Sequence, residues 1–156
     1  VPARLKEGYD GPTPSGNSVA VMDLVRLSEL TGNAEFRAQA EKTLSCFGEA
    51  IEKQPTAHAN FLMGMDMLVN GVSEVVLASP SAEGLKGFEE VVWGTYFPNK
   101  AVVPATSKTF ERLAKSSALL EGRKPGARPR AYLCVGFACK LPADSPEVLA
   151  RQLAGR

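Results

Sequence analysis

The spacing of apolar residues changes once along this chain, at Asn70-Gly71, and that change narrows the folds open to it. Before it, apolar side chains recur every three or four residues; after it, they come in short β-branched runs. This predicts a helical segment over residues 1–71 followed by a small α/β subdomain over residues 72–156.

Ala20, Leu24 and Leu27, with Val21 and Val25 beside them, mark a first helix over residues 19–30 whose polar side carries Asp23, Arg26 and Glu29. Thr31-Gly32 supplies a left-handed stop. Asn33 then caps a second helix, with Phe36, Ala40, Leu44, Phe47 and Ile51 inward until Pro55 ends it. So short a connection makes the two helices antiparallel. Thr56 is placed to cap a third helix, with Phe61, Leu62, Met65, Leu68 and Val69 facing inward.

Beyond Gly71, the runs Val75-Val76-Leu77-Ala78, Ala101-Val102-Val103 and Ala131-Tyr132-Leu133-Cys134-Val135 read as buried strands. Helices are expected between them, one with Leu85, Phe88, Val91 and Val92 inward, the next with Phe110, Leu113, Ala114 and Leu120. Ser145-Pro146-Glu147 opens a last helix, serine as cap and proline in the first turn. Alternating strands and helices predict right-handed crossovers and a three-stranded parallel sheet.

The balance of 18 basic and 17 acidic side chains leaves no global field to draw nucleic acid or an acidic membrane. No apolar run reaches the length of a bilayer span, and the first residues lack a signal-peptide pattern. Three cysteines, an odd number, fit a reducing compartment better than a disulfide framework. A cytoplasmic protein with neither nucleic-acid nor membrane partners is the expectation. Val1 is not a methionine, and a piece of something longer is expected.

Chemistry has few candidate carriers. The loop Asp10-Gly11-Pro12-Thr13-Pro14-Ser15-Gly16-Asn17-Ser18 is stiffened by two prolines, and its Ser15, Asn17 and Ser18 can accept from the free N–H groups of a first helical turn. Such a rim can receive sugar hydroxyls or an anion, or can simply end a loop. Glu7 and Asp10 beside Tyr9 supply paired carboxylates and an aromatic, as glycosyl chemistry requires, although loop acids are commonly just solvated. Cys134 and Cys139 are five apart at a strand end and the following loop, open to a reversible disulfide or to inert buried thiols. With one histidine, His58, and Cys46 far away in sequence, no closed metal site is expected. His58 reads as a packing or surface residue. The basic stretch Arg123, Lys124, Arg128 and Arg130 lacks interleaved aromatics and reads as a solvated loop.

Tyr9-Asp10-Gly11 with Pro14-Ser15-Gly16-Asn17-Ser18-Val19-Ala20, then Phe97-Pro98-Asn99-Lys100, then Ala131-Tyr132-Leu133-Cys134 with Phe137-Ala138-Cys139 fall in an order and at intervals that resemble the C-terminal part of the YyaL and spermatogenesis-associated thioredoxin-like family. The resemblance covers essentially the whole chain. It implies a much longer protein: a thioredoxin-like domain, then an (α/α) toroid similar to six-hairpin glycosidases and sugar epimerases, then a tail like this one. The first three helices would be the end of that toroid, with the Asp10–Ser18 loop facing its funnel. The active-site cysteines of the thioredoxin-like domain would lie upstream, so Cys134 and Cys139 do not inherit their role. The resulting expectation is a C-terminal domain or fragment, not catalytic alone and without a cofactor. It would contribute Glu7, Tyr9, Asp10, Ser15 and Asn17 to a pocket for a saccharide or polar small molecule. The alternatives are a non-enzymatic module that binds the rest of a longer chain or self-associates, and thiol redox chemistry at Cys134 and Cys139.

Overall fold

The computed structural model describes residues 6–136 and 138–155. Phe137, part of the third family motif, lies outside the described residues. The chain forms two compact units, one running up to Ser28 and again from Asn33 to Gly71, the other made of Glu29–Gly32 and everything from Val72 onward.

The helical unit contains most of α1 (Gly16–Thr31), all of α2 (Ala34–Lys53) and, after a 3-10 turn at Pro55–His58, α3 (Ala59–Asn70). Asn33 caps α2 as its sequence position predicts, its side chain accepting from Glu35 N at 2.9 Å. Val21 and Val25 of α1, Ala40 and Ile51 of α2, and Phe61 and Met67 of α3 are buried, and the Phe47 ring lies 4.8 Å from that of Phe61.

The inward face of α3 differs from expectation. Phe61, Gly64 and Met67 point into the unit, while Met65 and Val69 are exposed. Gly64 explains the rotation: a Cβ there would sit 2.6 Å from Val21 Cγ1, so α1 and α3 meet where α3 has no side chain. A pattern built on apolar side chains does not count glycine as a contact position.

The second unit is mixed α/β, with β1 (Ser73–Ser79), α4 (Lys86–Gly94), β2 (Lys100–Thr106), the single turn α5 (Phe110–Leu113), β3 (Arg130–Val135), β4 (Ala138–Cys139) and α6 (Pro146–Ala154). Among the described residues the sheet has four strands in the order β2-β1-β3-β4. β1 and β2 are parallel, with Ser73 opposite Lys100 and Ser79 opposite Thr106, joined through α4 as predicted. The expected three-stranded parallel sheet is nevertheless wrong, because β3 runs antiparallel to β1, Glu74 opposite Cys134 and Ala78 opposite Arg130. The reason is the connection after β2. Where a full crossover helix was expected at Phe110–Leu120, α5 is one turn, followed by a 3-10 turn at Ala118–Leu120 and the loop to Pro129. That segment does not carry the chain back along the sheet, so it re-enters from the end it left. A short β4 then pairs antiparallel with β3, placing Cys134 opposite Cys139.

Both faces of the sheet are covered, which accounts for the near-continuous burial of β1. On one face Val75, Leu77, Ala131 and Leu133 pack with Phe88, Val92, Leu149 and Leu153 of α4 and α6. On the other Val76, Val103 and Ala105 pack with Leu119, Leu120 and the half-buried Leu30 and Tyr132. Gly87 lets α4 approach α6, since a Cβ there would sit 2.9 Å from Pro146 Cγ. Ser145 and Pro146 open α6 as read from the sequence.

Candidate functional site

In the helical unit the rigid loop is organised by Asp10. Its Oδ1 accepts from Ser15 N at 2.9 Å and from Ser18 Oγ at 2.6 Å, and its Oδ2 accepts from Asn60 N at 2.9 Å. One carboxylate therefore fastens the start of α1 to the start of α3, fifty residues on in sequence. It takes the place expected of Thr56, for α3 has no side-chain cap from its own neighbourhood. Burial raises the Asp10 pKa, but the hydrogen bonds from Ser18, Ser15, Asn60 and Phe61 outweigh it and hold the carboxyl below its ordinary value.

The other loop candidates are used in similar ways. Ser15 is the cap of α1, its Oγ accepting from Ser18 N at 3.0 Å, and Asn17 Nδ2 donates to the carbonyl of Glu7 at 2.7 Å. Tyr9 is 63% exposed and the Glu7 residue is exposed as well. The structure thus joins Asp10 to Ser15 and Asn17 to the backbone of Glu7, and leaves the Tyr9 ring largely in solvent. His58 packs: it is buried, with Nδ1 2.9 Å from the carbonyl of Gln54.

In the α/β unit, Cys134 and Cys139 are joined as a disulfide; Cys46, on α2 of the helical unit, is a free, exposed thiol. Cys134 is buried and Cys139 exposed. Arg123 lies against both sulfurs, its Nη2 3.0 Å from Cys134 Sγ and 3.3 Å from Cys139 Sγ. It is held there by a hydrogen bond from Nη1 to the carbonyl of Leu119 at 2.9 Å and by the Tyr132 ring, 5.7 Å from the guanidinium carbon. Opposite Cys134 on β1 stands Glu74, with the Glu29 carboxyl near it. Burial and the neighbouring Glu29 carboxylate push the Glu74 pKa up, Arg123 opposing them.

Sequence reading had placed Arg123 in a solvated loop and gave Glu29 and Glu74 no role. Nothing local marks them, since register alone brings Glu74 to Cys134 and a fold-back of 11 residues brings Arg123 to it. Other residues of that loop, Lys124 and Arg128, line a cavity of about 360 Å³ with Arg130 and Tyr132 at the carboxyl end of β1. Among the described residues no group of three or more histidine, cysteine or acidic side chains is arranged to hold a metal ion.

The class defined by this architecture is a mixed α/β module with a disulfide at one sheet edge, joined to a helical unit. Its relatives are longer proteins. Over 155 residues the chain is 28% identical to spermatogenesis-associated protein 20 of Rattus norvegicus and 27% identical to that of Homo sapiens, covering 98% of this chain and 20% of each relative's length. An uncharacterized protein of Caenorhabditis elegans is 25% identical over 150 residues. The resemblance carried by the three motifs is thus borne out, and the chain spans about a fifth of the length of the curated relatives it matches. No protein-family model matches the chain, and no solved structure matches it significantly. No helix among the described residues is long and apolar enough to cross a membrane.

Proposed function

We propose that this chain is a non-catalytic assembly module of a longer protein, and that the exposed apolar side of α3 is where the remainder of that protein packs. The observation that carries this is the stripe of Met65 and Val69, one turn apart, with Met63 near them: 41%, 75% and 47% of these side chains' residues are exposed, although they are large and apolar. On α1, by contrast, Val21 and Val25 are fully buried. The occupant is taken to be the same polypeptide because relatives are about five times as long as the chain, which covers 20% of them. The test compares Met65→Lys with Val69→Lys, singly and together, in this chain and in the full-length protein. The double variant should cost the full-length protein about 3 kcal/mol through lost burial. In this chain alone it should stay within about 0.5 kcal/mol, as surface changes do. Equal effects in the two would overturn the proposal, and so would dispersal of a dimer of this chain by the same substitutions.

A second reading gives the Asp10 loop a saccharide or other polar ligand, through Glu7, Tyr9, Asp10, Ser15 and Asn17. What favours it is an exposed Tyr9 ring on the same loop as a pinned, ionised carboxylate. Asp10 is a poor probe because its removal would release two helix starts. Tyr9→Ala is the cleaner variant, and saccharide binding by the full-length protein that survives it unchanged would remove the idea.

A further inference from the structure

We propose that Cys134 and Cys139 are a reversible thiol–disulfide switch in which Arg123 holds the Cys134 sulfur as a thiolate once the bond is open. Glu74, Cys134 and Cys139 form one row across β1, β3 and β4, each opposite the next in register. Arg123 reaches both sulfurs of that row with one nitrogen, at 3.0 and 3.3 Å. A purely structural disulfide gains little from such a neighbour, since sulfur in that state is a weak acceptor; a thiolate gains a great deal from a guanidinium donor. The cation is also fixed in advance by the Leu119 carbonyl and the Tyr132 ring, so no ordering cost falls on the moment of opening.

The two sulfurs differ in a way that assigns their roles. Cys134 is 2% exposed, whereas Cys139 is exposed and open to an incoming nucleophile. A thiolate of a low-molecular-weight thiol bonds to Cys139 Sγ, the disulfide breaks, and its electron pair goes to Cys134 Sγ beside Arg123. A second thiol, as its thiolate, attacks the incoming sulfur of this mixed disulfide and releases Cys139, which takes a proton. The two thiols are oxidised by two electrons to their own disulfide and the protein is reduced by two. Of the two protons given up, one ends on Cys139 and one in solvent. Glu74 lies on the other side of Cys134, opposite it in register on β1.

The test uses the full chain with Cys46→Ser, which removes the one other thiol, equilibrated in buffers of varied reduced-to-oxidised glutathione ratio, acid-quenched, alkylated and weighed. The pair should open and reclose reversibly across the series. Arg123→Gln should shift the equilibrium toward the disulfide about tenfold, the equivalent of one unit in a thiol pKa. Arg123→Lys should recover part of that shift. The companion measurement is thiolate absorbance against pH in Cys139→Ser with Cys46→Ser: the Cys134 thiol should titrate well below a free thiol with Arg123 present, and near or above it with Arg123→Gln. Circular dichroism keeps the comparison to folded variants, and Arg123→Lys serves if glutamine unfolds the loop. A pair that stays oxidised in the most reducing buffer would overturn the switch, as would variants at Arg123 that move neither the equilibrium nor the titration.

Discussion

Asp10 in the helical unit meets hydrogen-bond donors from two helix starts, whereas the half-buried Glu74 in the α/β unit meets a second carboxyl, that of Glu29. Both pay for desolvation. For Asp10 the donors outweigh that cost and the carboxyl is held ionised; for Glu74 burial and a like charge add, and Arg123 only offsets them in part. The difference shows what each acid does for its unit. Asp10 is a fastener whose charge is used up by the fold, and Glu74 is a charge the fold tolerates beside a disulfide and a guanidinium.

The comparison can be broken most directly at Asp10. Asp10→Ala should destabilise the helical unit by about 3 kcal/mol, since it removes caps from two helices and leaves several donors unmade. Asp10→Asn should retain part of that, and an urea midpoint unchanged in both would show that the carboxylate fastens nothing. Glu74→Gln should act in the other direction, stabilising the protein at neutral pH by about 0.5 kcal/mol as a like-charge contact is relieved.

Acid separates the two further. A lowered folded pKa means that the unfolded chain binds the Asp10 proton more readily, so this contribution is present above the ordinary value of 3.8 and is lost as pH falls through the folded value. Glu74 has the opposite sign: its contribution is full below its ordinary value of 4.5 and is lost as pH rises through the raised folded value. The gain from Glu74→Gln should therefore vanish on acidification, where the wild-type carboxyl is already protonated. A gain independent of pH would point to packing instead. The smallest effect is expected from Tyr9→Ala, within about 0.5 kcal/mol in denaturant titration, because its ring is mostly in solvent.

Much of the local structure was legible. Asn33 and Ser145-Pro146 mark helix starts by chemistry that acts within three residues, and the runs at Val75, Ala101 and Ala131 are short, apolar and β-branched enough to be strands. Less was legible where glycine or distance decides. The face of α3 turns on Gly64 against Val21, and the cap of α3 comes from Asp10. Of the candidate site, the sequence offered Cys134 and Cys139 as a pair but not Arg123 or Glu74 beside them, because strand register and a loop fold-back bring those in.

By itself the sequence determined where α2, α6 and the runs of β1, β2 and β3 fall, since capping, turn residues and hydrophobic spacing act between near neighbours along the chain. Only the tertiary structure decided that β3 runs against β1, that one aspartate serves two helices, and that a guanidinium faces two sulfurs. Those outcomes depend on contacts between residues far apart in the chain, whose energies arise only once the chain has closed on itself.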